Sequence, residues 1–443
     1  MRPPCDEGTP VVPDREAGFH MTVTADRQAA WAADVVALVA TLGLTYMVSQ
    51  FLRNSIGVIA PDIAAEMAIP AAQIGLLSSA FFFSFAAMQL PLGVAIDRFG
   101  PKRCMLVCGG VVIASALLFA AGRTPAELVA ARIIMGFGTS CYLVAPLTLY
   151  AQRFSADRFA MLAGLHMGVG TIGTLLATAP LAFAAAAIGW RASFCVVAAV
   201  MAVAGLLVAF LVRSSPQPVH ARHQTIRESI AGIREVIRIP SVGRLFLMQM
   251  ATYSSFVIFV GLWGGPYLAH GYGYDLPARG SLLLVPALAQ VLGLTAYGWA
   301  DRVLGSYRVP VAIGALTTAG FLSLLAIAGT LPRPWLLLWL IGFGAFAGFT
   351  PVVIAHGKSL FPPRLVGRGM TLLNMGSMGG VFVTQTISGL AIDLFASRNG
   401  VYPLDAYRVV FALQAAFLVV AVSLYATARD PLRETRRSEP GGP

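Results

Sequence analysis

Apolar residues in this chain do not alternate with polar ones; they run on. Twelve stretches approach the roughly 20 residues a helix needs to cross about 30 Å of hydrocarbon. They fall near 33–60, 73–96, 104–122, 126–151, 159–186 and 192–212, then near 245–268, 280–300, 309–330, 334–356, 366–395 and 404–427. The pattern predicts an all-α membrane protein of twelve transmembrane helices in two six-helix halves. Its predicted parts are a polar N-terminal tail (1–32), a first bundle (33–212), a connector (213–244), a second bundle (245–427) and a C-terminal tail (428–443). Between Gln224 and Ile239, residues Ile226, Ile230, Ile233 and Ile237 share one helical stripe, with Arg227, Glu228, Arg234, Glu235 and Arg238 mostly elsewhere. That predicts a helix lying on the membrane surface and tethering the halves.

Composition agrees with the pattern. The 443 residues are 57% hydrophobic and 12% charged, against about 25% charged in soluble domains. The net charge of +11 would suit nucleic acid, so placement decides. With both termini cytoplasmic, about 23 of the 31 basic residues fall on inside segments, about six on outside connections and two within spans, as the positive-inside rule requires. The basic surface then faces anionic lipid, not nucleic acid, and a bacterial inner membrane is the expected location. No removable signal peptide is visible at the N-terminus, and Met1 and Met21 both stand as starts. Cys104 and Cys108 share a helix face without a nearby His or carboxylate, which reads as packing; no metal site is expected.

The two series echo each other. Gly136-Phe137-Gly138 recurs as Gly342-Phe343-Gly344, His166-Met167-Gly168 as Asn374-Met375-Gly376, Asp97-Arg98 as Asp301-Arg302, and Trp190-Arg191 as Tyr407-Arg408. The offsets are about 204 to 217 residues in one consistent order, as expected of a repeat-built transporter.

The sharpest motif is Gly93-Val94-Ala95-Ile96-Asp97-Arg98-Phe99-Gly100-Pro101-Lys102-Arg103. It resembles the signature between helices two and three of the major facilitator superfamily. Arg132 with Gly136 and Gly138 resembles a second signature. The stretch from Arg53 to Arg103, with Pro61-Asp62 and Gln89-Leu90-Pro91, is similar to bacterial members that carry anions and organic solutes. The resemblance implies two halves rocking about a midplane cavity lined by helices one, four, seven and ten. It also implies a cytoplasmic latch built from Gly93, Asp97, Arg98, Gly100 and Arg103, degenerate in the second half as Asp301 and Arg302. The alternative for the basic residues of the latch is that they only set topology. Gly93 is expected where neighbouring helices approach closely.

Charge inside a span is costly and seldom idle. Arg53 in span one and Arg132 in span four lie at similar depth; two guanidiniums there would clamp a carboxylate or phosphate through paired donors. The competing reading for each is a structural hydrogen bond or snorkelling to the interface. Further substrate contacts are sought among Gln50, Asn54, Tyr253, Trp263, Asn374 and Gln385. No Asp or Glu lies deep in a span, Asp34 at the mouth of span one being nearest. Coupling would then fall to His166, to a proton on the substrate, or to counter-anion exchange, with simple packing as the other reading of His166. His356 and Lys358 read as surface residues ending span ten, and Trp335 as an interfacial anchor.

Nothing in the sequence points to catalysis, a nucleotide or another cofactor; a phosphate-cradling Gly-Lys-Ser/Thr loop is missing. The function expected is that of a monomeric secondary carrier for a small anionic or zwitterionic organic solute, with a proton or counter-anion as coupling partner. The rivals are a drug or siderophore exporter of the same superfamily and a transporter-shaped sensor that moves nothing.

Overall fold

The computed structural model describes residues 15–213, 226–398 and 400–433, with side chains from residue 34 onward except at a few helix positions. Cys5, the loop holding His220, Arg222 and His223, Gln224, and the side chains of Ile226 and Arg227 lie outside the described residues. The backbone is helical nearly throughout, and ten of its helices are long and apolar enough to cross a membrane. Ala156–Leu176 and Val366–Asp393 complete the twelve.

Each break between or within spans has a local cause. Span one runs from Arg15–Asn54 through a turn at Ser55 into Ile56–Met67, so it reaches well past the expected end at residue 60 and carries Asp62 and Glu66 in helix. Span two is Ala71–Phe99 and span three is Pro101–Ala121, joined by Gly100 alone (φ 82°, ψ 155°). Span four is Pro125–Thr139 followed by Cys141–Arg153. Its start is a capping box, in which the Thr124 hydroxyl accepts from the Glu127 amide and the Glu127 carboxylate accepts from the Thr124 amide. Span five begins as Ala156–Leu176 and restarts at Ala179. The loop expected between 186 and 192 is instead one residue, Gly189 (φ 81°, ψ 155°), inside the stretch Ala179–Leu211 that completes span five and forms span six. Gly100 and Gly189 thus make the same hinge in a backbone region open essentially to glycine alone.

In the second half, span seven is Val242–Ile258, a five-residue π-helical bulge at Phe259–Trp263, and Gly264–Tyr272. Spans eight, nine and twelve are Leu276–Leu304, Arg308–Ala328 and Leu404–Tyr425; span ten is Arg333–Phe346 and Thr350–Leu360 joined by a 3₁₀ turn, and span eleven is Val366–Asp393. The connector helix is Ile226–Ile237. Its stripe is divided: Ile233 is partly buried and Val236 fully so, while Ile230 and Ile237 remain more than half exposed.

The internal repeat is visible as chemistry. Arg191 at the start of span six donates to the carbonyls of Ala120 and Gly122, at the end of span three. Arg408 at the start of span twelve donates to those of Ala326 and Ile327, at the end of span nine. In both halves a guanidinium collects the orphan carbonyls of a helix C-terminus. Each also meets a carboxylate, Glu66 for Arg191 and Asp405 for Arg408.

Candidate functional site

The two halves meet most closely at the face opposite the chain termini. There Gly57 of span one and Gly265 of span seven touch backbone to backbone, so a methyl on Gly265 would strike the Gly57 carbonyl. Span two crosses span eleven at Gly75 and Gly389, where a Cβ on Gly389 would lie 3.1 Å from the Gly75 Cα. Charge reinforces these contacts. Arg279 of span eight pairs with Asp62 of span one at 2.8 Å. Asp393, at the end of span eleven, accepts from the first amides of span two, Ala71 and Ala72, at 2.9 and 3.0 Å. Tyr402 donates to the same carboxylate and accepts from Ala71. A carboxylate of one half therefore caps a helix N-terminus of the other, where the macrodipole favours it.

At the termini face the same spans two and eleven diverge. A cavity of about 380 Å³ opens between them, lined by Gln89, Gly93 and Asp97 on one side, by Arg364, Arg368 and Thr371 on the other, and by Val144 and Ile233. The close helix approach expected at Gly93 is absent in this conformation: nothing lies within 4 Å of a Cβ built there. Asp97 borders the cavity, Arg98 lies over the Phe99 ring, and Arg103 is exposed. Gly100 makes the hinge, while Lys102 donates to the Ala209 carbonyl of span six. Asp301 is half-buried and Arg302 lies over Trp299. The connector helix spans the cavity mouth. Glu235 pairs with Arg364, and Gly232 lies so close under the Arg368 side chain that a methyl there would collide with it.

Between gate and cavity sit the intramembrane polar groups. Arg53 is buried at 6% exposure, its guanidinium carbon 4.6 Å from the centre of the Phe85 ring, and its Nε has no hydrogen-bond partner. Tyr46 lies two helical turns earlier on the same face of span one and is buried. Gln50, between them, has a buried Oε1 without a partner. Asn54 donates to the Gln50 carbonyl and to the Thr174 hydroxyl of span five. Gln50, Arg53 and Asn54 thus fall within five residues of one another on span one, facing Phe85 of span two and Thr174 of span five; Tyr253 is partly buried on span seven.

Arg132 is placed differently. It is fully buried over Phe81 at 4.6 Å; its Nη1 donates to the Leu52 carbonyl at 2.7 Å and its Nε to that of Leu77 at 3.3 Å. Those bonds tie span four to spans one and two. Trp263 and Gln385 lie in the sealed part. The indole donates to Ser388 at 2.7 Å, while the Gln385 side chain is wholly buried with neither amide atom bonded. Asn374 is half-buried beyond the cavity wall, and Asp34 is exposed at the termini face.

His166 is fully buried in span five, bonded through Nε2 to the Tyr142 carbonyl at 3.0 Å. His356 corrects an expectation. It is buried between Tyr425 (2.7 Å to Nδ1) and the Arg429 carbonyl (2.7 Å to Nε2), and it stacks on Tyr307, so it is no surface residue. Nearby, burial would raise the Asp430 carboxyl, but hydrogen bonds from Ser306 and the amides of Arg308 and Tyr307 hold it below its usual range. The far-face lock of Asp62, Arg279, Asp393 and Tyr402 was not anticipated from the chain. Its bonds between the halves join residues 217 to 331 positions apart.

The family model for the major facilitator superfamily matches residues 42–338 and 245–443. Among curated proteins, the probable sulfoacetate transporter SauU of Cupriavidus necator is 27% identical over 59% of this chain and 63% of its own length. The membrane sensor protein UhpC of Salmonella typhimurium is 24% identical over 86% of this chain and 87% of its own. Among solved structures, a bacterial homologue of the human lysosomal transporter Spinster, inward-facing and unoccupied, superposes with a TM-score of 0.73. That match has 17% identity and covers 88% of this chain and 95% of that one. With repeat, hinge, gate and family model all in agreement, the chain belongs to the major facilitator superfamily.

Proposed function

We propose that the protein is a secondary carrier that moves a small organic anion by alternating access, with Arg53 as its anion contact. The observation that carries this reading is the buried, unpartnered Nε of Arg53 beside the unpartnered Gln50. A guanidinium withdrawn from water with donor capacity unused is a costly arrangement that a carboxylate or sulfonate would complete. The sulfoacetate relative supports that chemistry. The positive-inside pattern supports a bacterial inner membrane with the termini in the cytoplasm, which makes the present state open to the cytoplasm and sealed outside. Gating by the Asp97 loop, work as a monomer in anionic lipid, and roles for Asn54, Tyr253, Trp263, Asn374 and Gln385 along the substrate path belong to the same proposal, with Arg132 holding spans one, two and four together around it.

Reconstituted in liposomes, the protein should exchange labelled sulfoacetate or small carboxylates and ignore lipophilic cations. Arg53→Ala should abolish exchange while the protein stays folded in the membrane. Transport of lipophilic cations instead would overturn the reading. The sensor relative favours a second one, whose mark is anion binding in these vesicles without flux.

A further inference from the structure

We propose that His166 is the proton-binding residue that couples anion movement to a proton gradient; this rests on the carrier reading above. The tautomer follows from geometry. Nε2 faces the Tyr142 carbonyl at 3.0 Å, and a carbonyl only accepts, so Nε2 carries the hydrogen. In the neutral ring Nδ1 is then a bare lone pair, and it is buried without any partner. That nitrogen is the one position on the ring open to a proton, and burial opposes the resulting charge unless a nearby anion offsets it.

The surroundings set what that proton would feel. Tyr46 of span one stacks on the imidazole, centroids 4.9 Å apart and planes within 15°. That stack is built into the sequence: one turn after His166, Gly170 leaves the room the Tyr46 ring occupies, and any Cβ there would collide with it. From span four, Tyr142 supplies the carbonyl and Tyr150 meets the ring edge-on at 5.8 Å, with its own hydroxyl unpartnered. Span eight packs along the later part of span five, with Gly280 against Thr178 and Ala182, about three turns and some 18 Å along the helix from His166; Arg279 is the charged residue beside that contact. On span one, Arg53 follows Tyr46 by seven residues, two turns or about 10 Å along the helix.

With the anion absent, a proton on His166 would add a second positive charge behind Arg53. An anion on Arg53 offsets that repulsion. Bound anion therefore raises the proton affinity of His166, and by reciprocity protonation raises anion affinity by the same factor. The Nδ1 lone pair forms the N–H bond on one side of the cycle and releases the same proton on the other; nothing is oxidised or reduced.

The test uses full-length protein in liposomes of phosphatidylethanolamine and phosphatidylglycerol, with labelled sulfoacetate and the membrane potential clamped at zero. A gradient of one pH unit sustains up to about tenfold accumulation for one proton per anion. Wild type should approach that limit. His166→Gln keeps a donor for the Tyr142 carbonyl but has no basic nitrogen. It should exchange anion at a near-normal rate yet accumulate it no more than about onefold. Accumulation by H166Q equal to wild type overturns the proposal, as does wild type that exchanges but ignores the gradient; the carrier reading survives both. Loss of exchange in both H166Q and His166→Asn, with the protein still folded, would make His166 a packing residue and also overturn it. Absence of any wild-type exchange would instead sink the carrier reading, and this inference with it.

Discussion

Arg53 and Arg132 are the same side chain in neighbouring spans, and both guanidiniums lie 4.6 Å over a phenylalanine of span two, at Phe85 and Phe81, one turn apart. Their hydrogen bonds separate them. Arg132 spends Nη1 and Nε on the Leu52 and Leu77 carbonyls and leaves Nη2 unpaired, whereas the Nε of Arg53 is itself unpaired. Residue type and depth, which a sequence supplies, leave the role of a buried arginine open. The partners it holds narrow that choice: Arg132 bridges spans four, one and two, while the unpaired Nε of Arg53 is the group the proposed anion would engage.

The largest effect should come from the arginine that bridges three spans. Arg132→Ala opens a void under Phe81 and unties three spans, a loss of about 3 kcal/mol or more. Its yield and melting temperature in detergent should both fall. Normal melting with lost exchange would reverse the assignment of the two arginines. Next, Arg53→Gln should melt like wild type and lose exchange roughly a hundredfold, the 2–3 kcal/mol of a charge-assisted bond. A lower melting temperature in that variant would make Arg53 structural too.

A smaller effect is expected at the far-face lock, where charges act between halves and not within one. Asp393→Asn removes the full charge from the amides of Ala71 and Ala72, weakening the closed gate by about 1–2 kcal/mol, roughly tenfold in the gating equilibrium. Ser78, buried at 0% exposure just inside that gate, reports the change. A cysteine placed there, with the native cysteines replaced by serine, should react faster with a maleimide when Asp393→Asn is also present. An unchanged rate would mean that glycine contacts alone hold the gate.

How far the chain announced all this follows from the range of the interactions. Local physics was legible: apolar length gave the spans, and Gly100-Pro101 gave the hinge. The Trp190-Arg191 and Tyr407-Arg408 pair gave a repeat whose arginines do the same work in each half. Partly local features came out blurred. Gly136 and Gly342 look equivalent in sequence, yet Gly136 packs on Phe81 of span two while Gly342 meets Phe321 of span nine, and it is Gly344 that meets Pro286 of span eight. The glycine that faces the second helix of its half is thus offset by two residues from the tripeptide match. Wholly non-local features were silent. Asp62–Arg279, Asp393–Ala71 and the burial of His356 depend on partners brought together only by the fold. So does the distinction between Arg53 and Arg132, since a backbone carbonyl leaves no mark in a sequence.

The smallest effect should belong to the arginine whose partner is a carboxylate in water. Arg191 pairs with Glu66 at 2.8 Å, with side chains 33% and 46% exposed, and Trp190 donates to the same carboxylate at 2.7 Å. Partial burial would raise the Glu66 carboxyl, but the bonds from Trp190 and Arg191 outweigh it and hold the group below its ordinary value. A carboxyl lowered on folding stabilises the fold above its unfolded pKa, and that contribution disappears as pH falls through the folded value. Solvent screening limits it to less than about 1 kcal/mol. The melting-temperature difference between wild type and Glu66→Gln should therefore be a few degrees or less at pH 7 and shrink once the pH drops below the carboxylate range near 4.5. A difference that persists at lower pH would mean that the neutral contacts to Trp190, and not the ion pair, join spans one and six. A difference as large as that of Arg132→Ala would break the ordering from buried and bridging to exposed and paired that separates these arginines.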